Sequence, residues 1–283
     1  MAGIKIVTDS SADIPPQIAS ELGIEVVPML THIGGQTYRA GVDISNDQFF
    51  SLLQDTSLPV RTSAPAPAVF EQLYRKLALE YEYIFSIHLS SRLGGVYRAA
   101  GQARAKLPAS LTRIEVVDSK LASMGLGWVA IAAARAARDG MPPSEITLLI
   151  NSLIQHTHVV FFVDNIEYLE QGGRLSVPSS VLSSMQRTKP LLILDEGEIV
   201  PYERTRTRAK AIEGLYTFVE DFPSVQEVVA LYATTPEDID KFLEKVDIIF
   251  PRDRVQIAQF GSTISAHLGP AAMGVVVYEG TED

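Results

Sequence analysis

The chain has 283 residues, a formal net charge of −10, 46% hydrophobic and 20% charged residues, and no cysteine. These values exclude general disorder and fibrous repeats, and with them disulfides, thiolate nucleophiles and cysteine-ligated metal or iron–sulfur sites. They also argue against an extended nucleic-acid surface, which needs clustered Lys and Arg to neutralise phosphates.

The opening segment lacks the basic-then-apolar layout of a secretion signal, and no apolar run approaches the length needed to cross a bilayer. A cytoplasmic location is expected, with room for transient contact with a membrane surface. In the first half, short β-rich runs alternate with amphipathic stretches, the pattern of parallel strands joined by crossover helices. Residues 4–7, 24–30, 84–89 and 114–117 read as strands. Residues 15–22, 49–54, 69–79 and 96–106 read as helices, several with Ser, Asn or Pro start signals. Two further helices are expected over 123–137 and 143–155, separated by the Asp139-Gly140 break, and a domain boundary is placed near residue 156.

The second half continues with a strand over 159–163 and a helix through Leu169 closed by Gly172-Gly173, then a helix from Pro178. Strands over 191–194 and 199–203 flank Asp195-Glu196-Gly197-Glu198 and read as a hairpin. A helix over 208–220, a strand over 228–233, a helix over 236–246 and strands near 255–260 and 274–278 follow. The resulting expectation is an α/β fold of two domains. Residues 1–156 form an open parallel sheet with flanking helices, and residues 157–283 a mixed sheet with helices.

In open α/β sheets, ligands gather beyond the carboxyl ends of the strands, so the residues that follow each strand are the first candidates. Five such segments are rich in small hydroxyl residues: Thr8-Asp9-Ser10-Ser11, Thr62-Ser63, Ser90-Ser91 through Gly94-Gly95, Asp118-Ser119 and Gly261-Ser262-Thr263. The plain role of each is to cap backbone N–H groups at a helix start. Their convergence at one sheet edge would make a neutral anion site suited to a carboxylate or phosphate.

No serine sits in a GxSxG elbow, the Gly94-Gly95 pair falls short of GxGxxG, and no GxxxxGK[ST] loop is present, so serine hydrolysis, NAD and direct ATP binding lack support. None of His32, His88, His156, His158 and His267 belongs to a metal-binding pattern. Gly172-Gly173-Arg174-Leu175-Ser176 follows a helix end, where glycines can swing an arginine into a cleft. Arg204, Arg206 and Arg208 alternate at a strand-to-helix junction, where solvated charge is the commoner explanation. His267 is expected on an exposed loop between two strands.

Together these motifs resemble the DegV family along nearly the whole chain. The resemblance is carried by Thr8 through Pro15, Thr62-Ser63-Ala64-Pro65, Ile87 through Ser91 with Gly95 and Tyr97, and Val117-Asp118-Ser119. The second half adds Tyr168 through Arg174, Lys189-Pro190 with Gly197, Arg206-Thr207-Arg208 and His267 through Pro270. The resemblance implies two α/β domains with a long-chain fatty acid, such as palmitate or stearate, buried between them, and no cofactor or metal.

It further implies the binding subunit of a bacterial fatty acid kinase in phospholipid metabolism. A separate ATP-binding subunit would phosphorylate the bound carboxylate to an acyl phosphate. On that reading the chain is not catalytic alone. Thr62 and Ser63 match the family's carboxylate-binding pair, with Ser91, Gly94, Gly95 and Ser119 as further ligand contacts and Arg174, Arg206 and His267 supporting phosphoryl transfer.

One departure stands out. Where the family commonly reads Ser-Ser-x-Leu-Ser-Gly-Thr-Tyr, this chain has Gly94 and Val96 in place of a serine and a threonine; either the backbone N–H groups of Gly94 and Gly95, water or Ser91 fill the gap, or the site prefers another ligand. The alternatives are a regulatory protein that only sequesters lipid, and an independent esterase or phosphotransferase.

Overall fold

The computed structural model describes residues 3–54, 59–108, 110–175 and 177–280. In chain order the first half contains β1 (Ile4–Asp9), α1 (Pro16–Glu21), β2 (Glu25–Val27), β3 (Leu30–Ile33), β4 (Gln36–Arg39), α2 (Asn46–Leu53) and β5 (Val60–Ser63). It continues with α3 (Pro67–Leu77), β6 (Tyr83–His88), α4 (Val96–Ala105), β7 (Arg113–Asp118), α5 (Met124–Arg138) and α6 (Pro143–His156). Proline at the first turn starts α1, α3 and α6, where its missing N–H costs nothing. Strands β2-β1-β6-β7 form an all-parallel sheet. Its central strand β6, YIFSIH, is buried at every position, as a strand covered on both faces must be.

The second half contains β8 (Thr157–Phe162), α7 (Glu167–Gln171), α8 (Ser179–Met185), β9 (Lys189–Asp195), β10 (Glu198–Thr205), α9 (Arg208–Glu220) and β11 (Val225–Tyr232). After these come α10 (Glu237–Val246), β12 (Gln256–Gln259), α11 (Ser262–Leu268) and β13 (Met273–Glu279). The sheet order is β10-β9-β8-β13-β11-β12, with β11 and β12 parallel and every other pair antiparallel. The α/β class and the pairing of a parallel with a mixed sheet are as the sequence predicts.

The chain crosses from the first sheet system to the second between His156 and Thr157, but the apolar core does not divide there. One cluster joins Ile6 and Ile87 of the first half to Val159, Leu192 and Phe260 of the second. A separate cluster packs Phe162 against Leu215 of α9 and Phe242 of α10 on the other face of the six-stranded sheet. Helix α5 runs through the shared core. A Cβ on its Gly125 would lie 2.6 Å from a methyl of Val159, and one on Gly127 would lie 2.5 Å from the carbonyl of Ala12. Close packing on both sides therefore explains two glycines inside a helix, each of which costs about 1 kcal/mol against alanine.

Three elements differ from the sequence expectation. The strand expected over 24–30 is divided. Residues Glu25–Val27 join the parallel sheet, while Leu30–Ile33 starts a separate three-stranded antiparallel sheet, β4-β3-β5. Helix α2 begins at Asn46, not residue 49, because Ser45 and Gln48 form a reciprocal capping box. His267 lies in the last turn of helix α11, not on an exposed loop.

Candidate functional site

A cavity lies between the two halves and contains about 690 Å³ of non-atom space, part of it open to solvent. Met29, Leu89, Leu93 and Ala122 from the first half and Val159, Phe161, Leu194, Ile199, Phe260 and Leu268 from the second make its wall largely apolar. The polar residues facing it include Thr62, Ser63, Ser123, Arg174, Thr263 and His267.

Thr62 and Ser63 end strand β5, and each hydroxyl meets a histidine. Thr62 Oγ1 is 2.7 Å from His267 Nε2, and Ser63 Oγ is 2.8 Å from His32 Nε2. Arg174 is brought alongside by the turn after α7, and here the two glycines have different tasks. Gly173 adopts the left-handed conformation, φ +62°, that reverses the chain. Gly172 lies against the imidazole, where a Cβ would be 2.3 Å from His267 Nδ1. The last residue of that motif, Ser176, lies outside the described residues.

His267 is half-buried, with its Nδ1 sealed from solvent and unpartnered among the described residues. Burial, reinforced by the nearby Arg174 charge, pushes its pKa down to about 4, so the ring is neutral at neutral pH. Burial also lowers the Arg174 guanidinium, whose Nε is likewise sealed and unpartnered. Of the buried side-chain polar atoms without a partner among the described residues, these two alone belong to residues lining the cavity. The Arg174 Nε–H is a donor in every state, and its desolvation cost is one that a bound anion would relieve.

The structure brings Thr62, Ser63, Gly94, Gly95, Arg174 and His267 to one cavity and leaves Ser91, Ser119 and Arg206 away from its wall. Ser91 is exposed, and its backbone N–H donates to Asp118. The buried Ser119 hydroxyl donates to the carbonyl of His88 and accepts from Leu121 N–H, so it shapes the turn after β7. Arg206 is exposed, two residues before Arg208. Arg208 itself is a structural node. It donates to Asp238, to Asp164 ahead of α7, to Thr235 and to the carbonyl of Ala271 beyond α11, fixing the loops that flank Arg174 and His267.

Gly94 does not offer a free backbone donor, because its N–H donates to Ser90 O at 3.1 Å. Gly95 is the N-cap of α4 and leaves that helix's first N–H groups without side-chain cover. Val96 is fully buried and is not part of the cavity wall, so of the two departures from the family pattern only Gly94 alters the cavity surface.

Two other hydroxyl segments bind protein instead of ligand. Ser11 donates to Asp9, Ser10 approaches Thr263 at 3.3 Å and accepts from Met29 N–H. Ser90 donates to the carbonyl of Gly197 in the β9–β10 turn, which Lys120–Glu196 and Arg92–Glu198 ion pairs also hold against the first half. Both turn residues have positive φ, Glu196 at 45° and Gly197 at 84°, matching a primed hairpin turn.

The model of the DegV family, described as a family of uncharacterised proteins, matches residues 3–280. The chain belongs to the DegV family. It is 32% identical over 286 residues to a DegV domain-containing protein of Caldanaerobacter subterraneus subsp. tengcongensis, covering 99% of this chain and 100% of the relative. Among solved structures, a fatty-acid-binding DegV family protein from Thermus thermophilus superposes with a TM-score of 0.89 at 27% identity, covering 99% of this chain and all of the other. DegV of Bacillus subtilis, a fatty acid binding protein, gives a TM-score of 0.88 at 27% identity with the same coverage.

His32 carries no motif signal in the sequence, and Asp13, although inside the Thr8-to-Pro15 motif, is not singled out by it. His32 reaches the site only through the β3–β5 pairing. Asp13 reaches it through long-range bonds from Ser123 Oγ, 2.6 Å, and Gly261 N–H, 3.0 Å.

Proposed function

We propose that this DegV protein binds a long-chain fatty acid in the cavity between its halves and presents the carboxylate for phosphorylation by a separate ATP-binding kinase subunit. The observation that carries the reading is the joining of a largely apolar wall to a polar cluster containing two sealed, unpartnered groups, Arg174 Nε and His267 Nδ1. The two DegV structures of the same fold that are described as fatty-acid-binding support it.

Burying an acyl chain stabilises the complex by about 0.8 kcal/mol per methylene, so palmitate or stearate needs no cofactor to bind. The carboxylate accepts hydrogen bonds from the Thr62 and Ser63 hydroxyls, with Arg174 as the nearest cation. In the kinase step a carboxylate oxygen attacks the γ-phosphorus of ATP held by the partner, and ADP leaves. Arg174 stabilises the charge that gathers on the transferred group, and neutral His267 supports the step indirectly, by donating from Nε2 to Thr62 and so holding that hydroxyl as a donor to the carboxylate. Arg206, exposed and away from the cavity, serves the docking surface for that partner.

Mass spectrometry of lipid extracted from the purified protein tests the binding step. A C16–C18 fatty acid at near-stoichiometric amount is expected, and well-folded protein without any acyl chain would refute the reading.

A further inference from the structure

His32 lies behind Ser63 and outside the cavity wall, on the three-stranded sheet that the sequence analysis did not anticipate. Strand pairing fixes its neighbours. Thr37 of β4 is directly opposite His32, Arg61 of β5 is opposite on the other side, and Ser63 is two residues further along β5 on the same face. His32 Nδ1 is 2.8 Å from Thr37 Oγ1, and its Nε2 is 2.8 Å from Ser63 Oγ. Both ring nitrogens therefore have protein partners, unlike His267, whose Nδ1 has none among the described residues.

The direction of these bonds follows from what each group can do. A carboxylate offers acceptors only, and a serine hydroxyl has a single proton. If Ser63 binds the carboxylate it must donate that proton, and its contact with His32 is then a hydrogen bond only when Nε2 carries the hydrogen. In the neutral ring Nδ1 is then the acceptor, and the Thr37 hydroxyl must donate to it. The donors run in one direction, from Thr37 to His32 to Ser63 to the ligand. In the opposite tautomer Ser63 would donate to Nε2 and turn its lone pairs toward the ligand, which repels an anion.

We infer that His32 is a positioning residue that fixes the Ser63 hydroxyl as a donor and so makes the head-group site selective for a carboxylate. The inference rests on the fatty-acid reading above. Each donor polarises the next, so the Ser63 bond to an anion is stronger than that of an isolated hydroxyl.

The test compares palmitate with hexadecanol, whose hydroxyl can pair with Ser63 in either direction, on the full chain and on His32→Leu and His32→Gln. The glutamine amide can replace the Nε2 donor. The expected result is a palmitate-over-hexadecanol preference that falls about tenfold in His32→Leu, with hexadecanol affinity unchanged, and returns in His32→Gln. Nitrogen-15 NMR of the unsubstituted, palmitate-loaded protein is expected to show a hydrogen on His32 Nε2. That spectrum also decides the matter should His32→Leu fail to fold.

An undiminished preference in folded His32→Leu, or a bare Nε2 in the palmitate complex, would overturn the role of His32 while leaving the fatty-acid reading intact. Failure of the unsubstituted protein to bind either lipid would remove that reading, and this inference with it.

Discussion

Two polar clusters in this molecule each pair a hydroxyl side chain with a histidine, and they differ in how far their bonding is met. Deep in the parallel sheet, Tyr74 donates to Ser86, Ser86 bonds His88 Nε2 at 2.7 Å, and His88 Nδ1 pairs with Asp9 at 2.9 Å. Asp9 also accepts from Leu89 N–H and from Ser11, and all five side chains are fully buried. At the cavity, Thr62, His267 and Arg174 form a second cluster in which Nδ1 and Nε lack partners among the described residues. Serine, histidine and aspartate within hydrogen-bond reach thus make a tie between strands β1 and β6 in one place. In the other, the cluster with bonds left to make belongs to residues that line the cavity between the two halves. Unmet bonding among residues of the cavity wall separates the binding cluster from the structural one, although both contain a hydroxyl–histidine pair.

The largest expected effect breaks the structural cluster. His88→Leu leaves the Asp9 carboxylate buried without its ring partner, and a stability loss of about 3–5 kcal/mol is expected by urea unfolding, with lipid selectivity unchanged in the folded protein. A loss within about 0.5 kcal/mol would deny the cluster its structural role. The next effect falls on the open cluster. In Arg174→Ala, acyl phosphate formation with the kinase subunit is expected to drop about a hundredfold while the protein retains its lipid. Unchanged phosphorylation would remove Arg174 from the transfer step, and no acyl phosphate from the unsubstituted protein would favour a protein that only sequesters lipid.

Two groups near the cavity, Asp13 and His267, respond to pH in opposite senses. Asp13, half-buried and enclosed by Ser123 and Gly261, has its pKa raised to about 7, mainly by desolvation. Its folded form therefore holds a proton that the unfolded chain releases, and its contribution to stability declines as pH rises from about 4 to 7. His267, at about 4, acts in the opposite sense. The unfolded chain protonates first, so stability falls as pH drops from about 6.5 to 4, by an amount on the order of 2 kcal/mol. The contributions offset each other between those limits. Relative to the unsubstituted protein, Asp13→Asn should lose more stability on acidification over that interval, and His267→Gln should lose less. Identical pH profiles for all three proteins would contradict the assignment.

Smaller effects sharpen the head group. Thr62→Val should weaken palmitate binding about tenfold by calorimetry through loss of one charge-assisted hydrogen bond. Gly94→Ser should strengthen it about threefold. The new Cβ would meet only the Leu89 Cδ2 methyl, at 2.9 Å, a flexible side-chain tip that can move aside while a hydroxyl is added to the cavity wall. Weaker binding in Gly94→Ser would show that Leu89 cannot yield.

Most of the architecture was legible because its signals are local. Apolar runs, Pro at helix starts and the Asp195–Glu198 turn each act within a few residues, and helix Arg208–Glu220 falls where the pattern puts it. The three-stranded sheet was missed although Gly34-Gly35, both at positive φ, separates two short alternating runs in the manner of a hairpin. Helix α11 is only seven residues long and lacks a side-chain cap, leaving Gly269 after it as its clearest stop signal. At the site, Thr62, Ser63, Arg174 and His267 were legible through family motifs. His32 was not, and the parts played by Asp13 and Arg208, although both residues lie within such motifs, were not, because their partners lie far away in sequence and meet them only in the folded chain.

The most direct test of the head-group assignment is a crystal structure of the protein loaded with palmitate. The carboxylate is expected within hydrogen-bond distance of the Thr62 and Ser63 hydroxyls, with the acyl chain along the apolar wall. A carboxylate seated elsewhere, with Thr62 still bonded only to His267 and Ser63 only to His32, would contradict it.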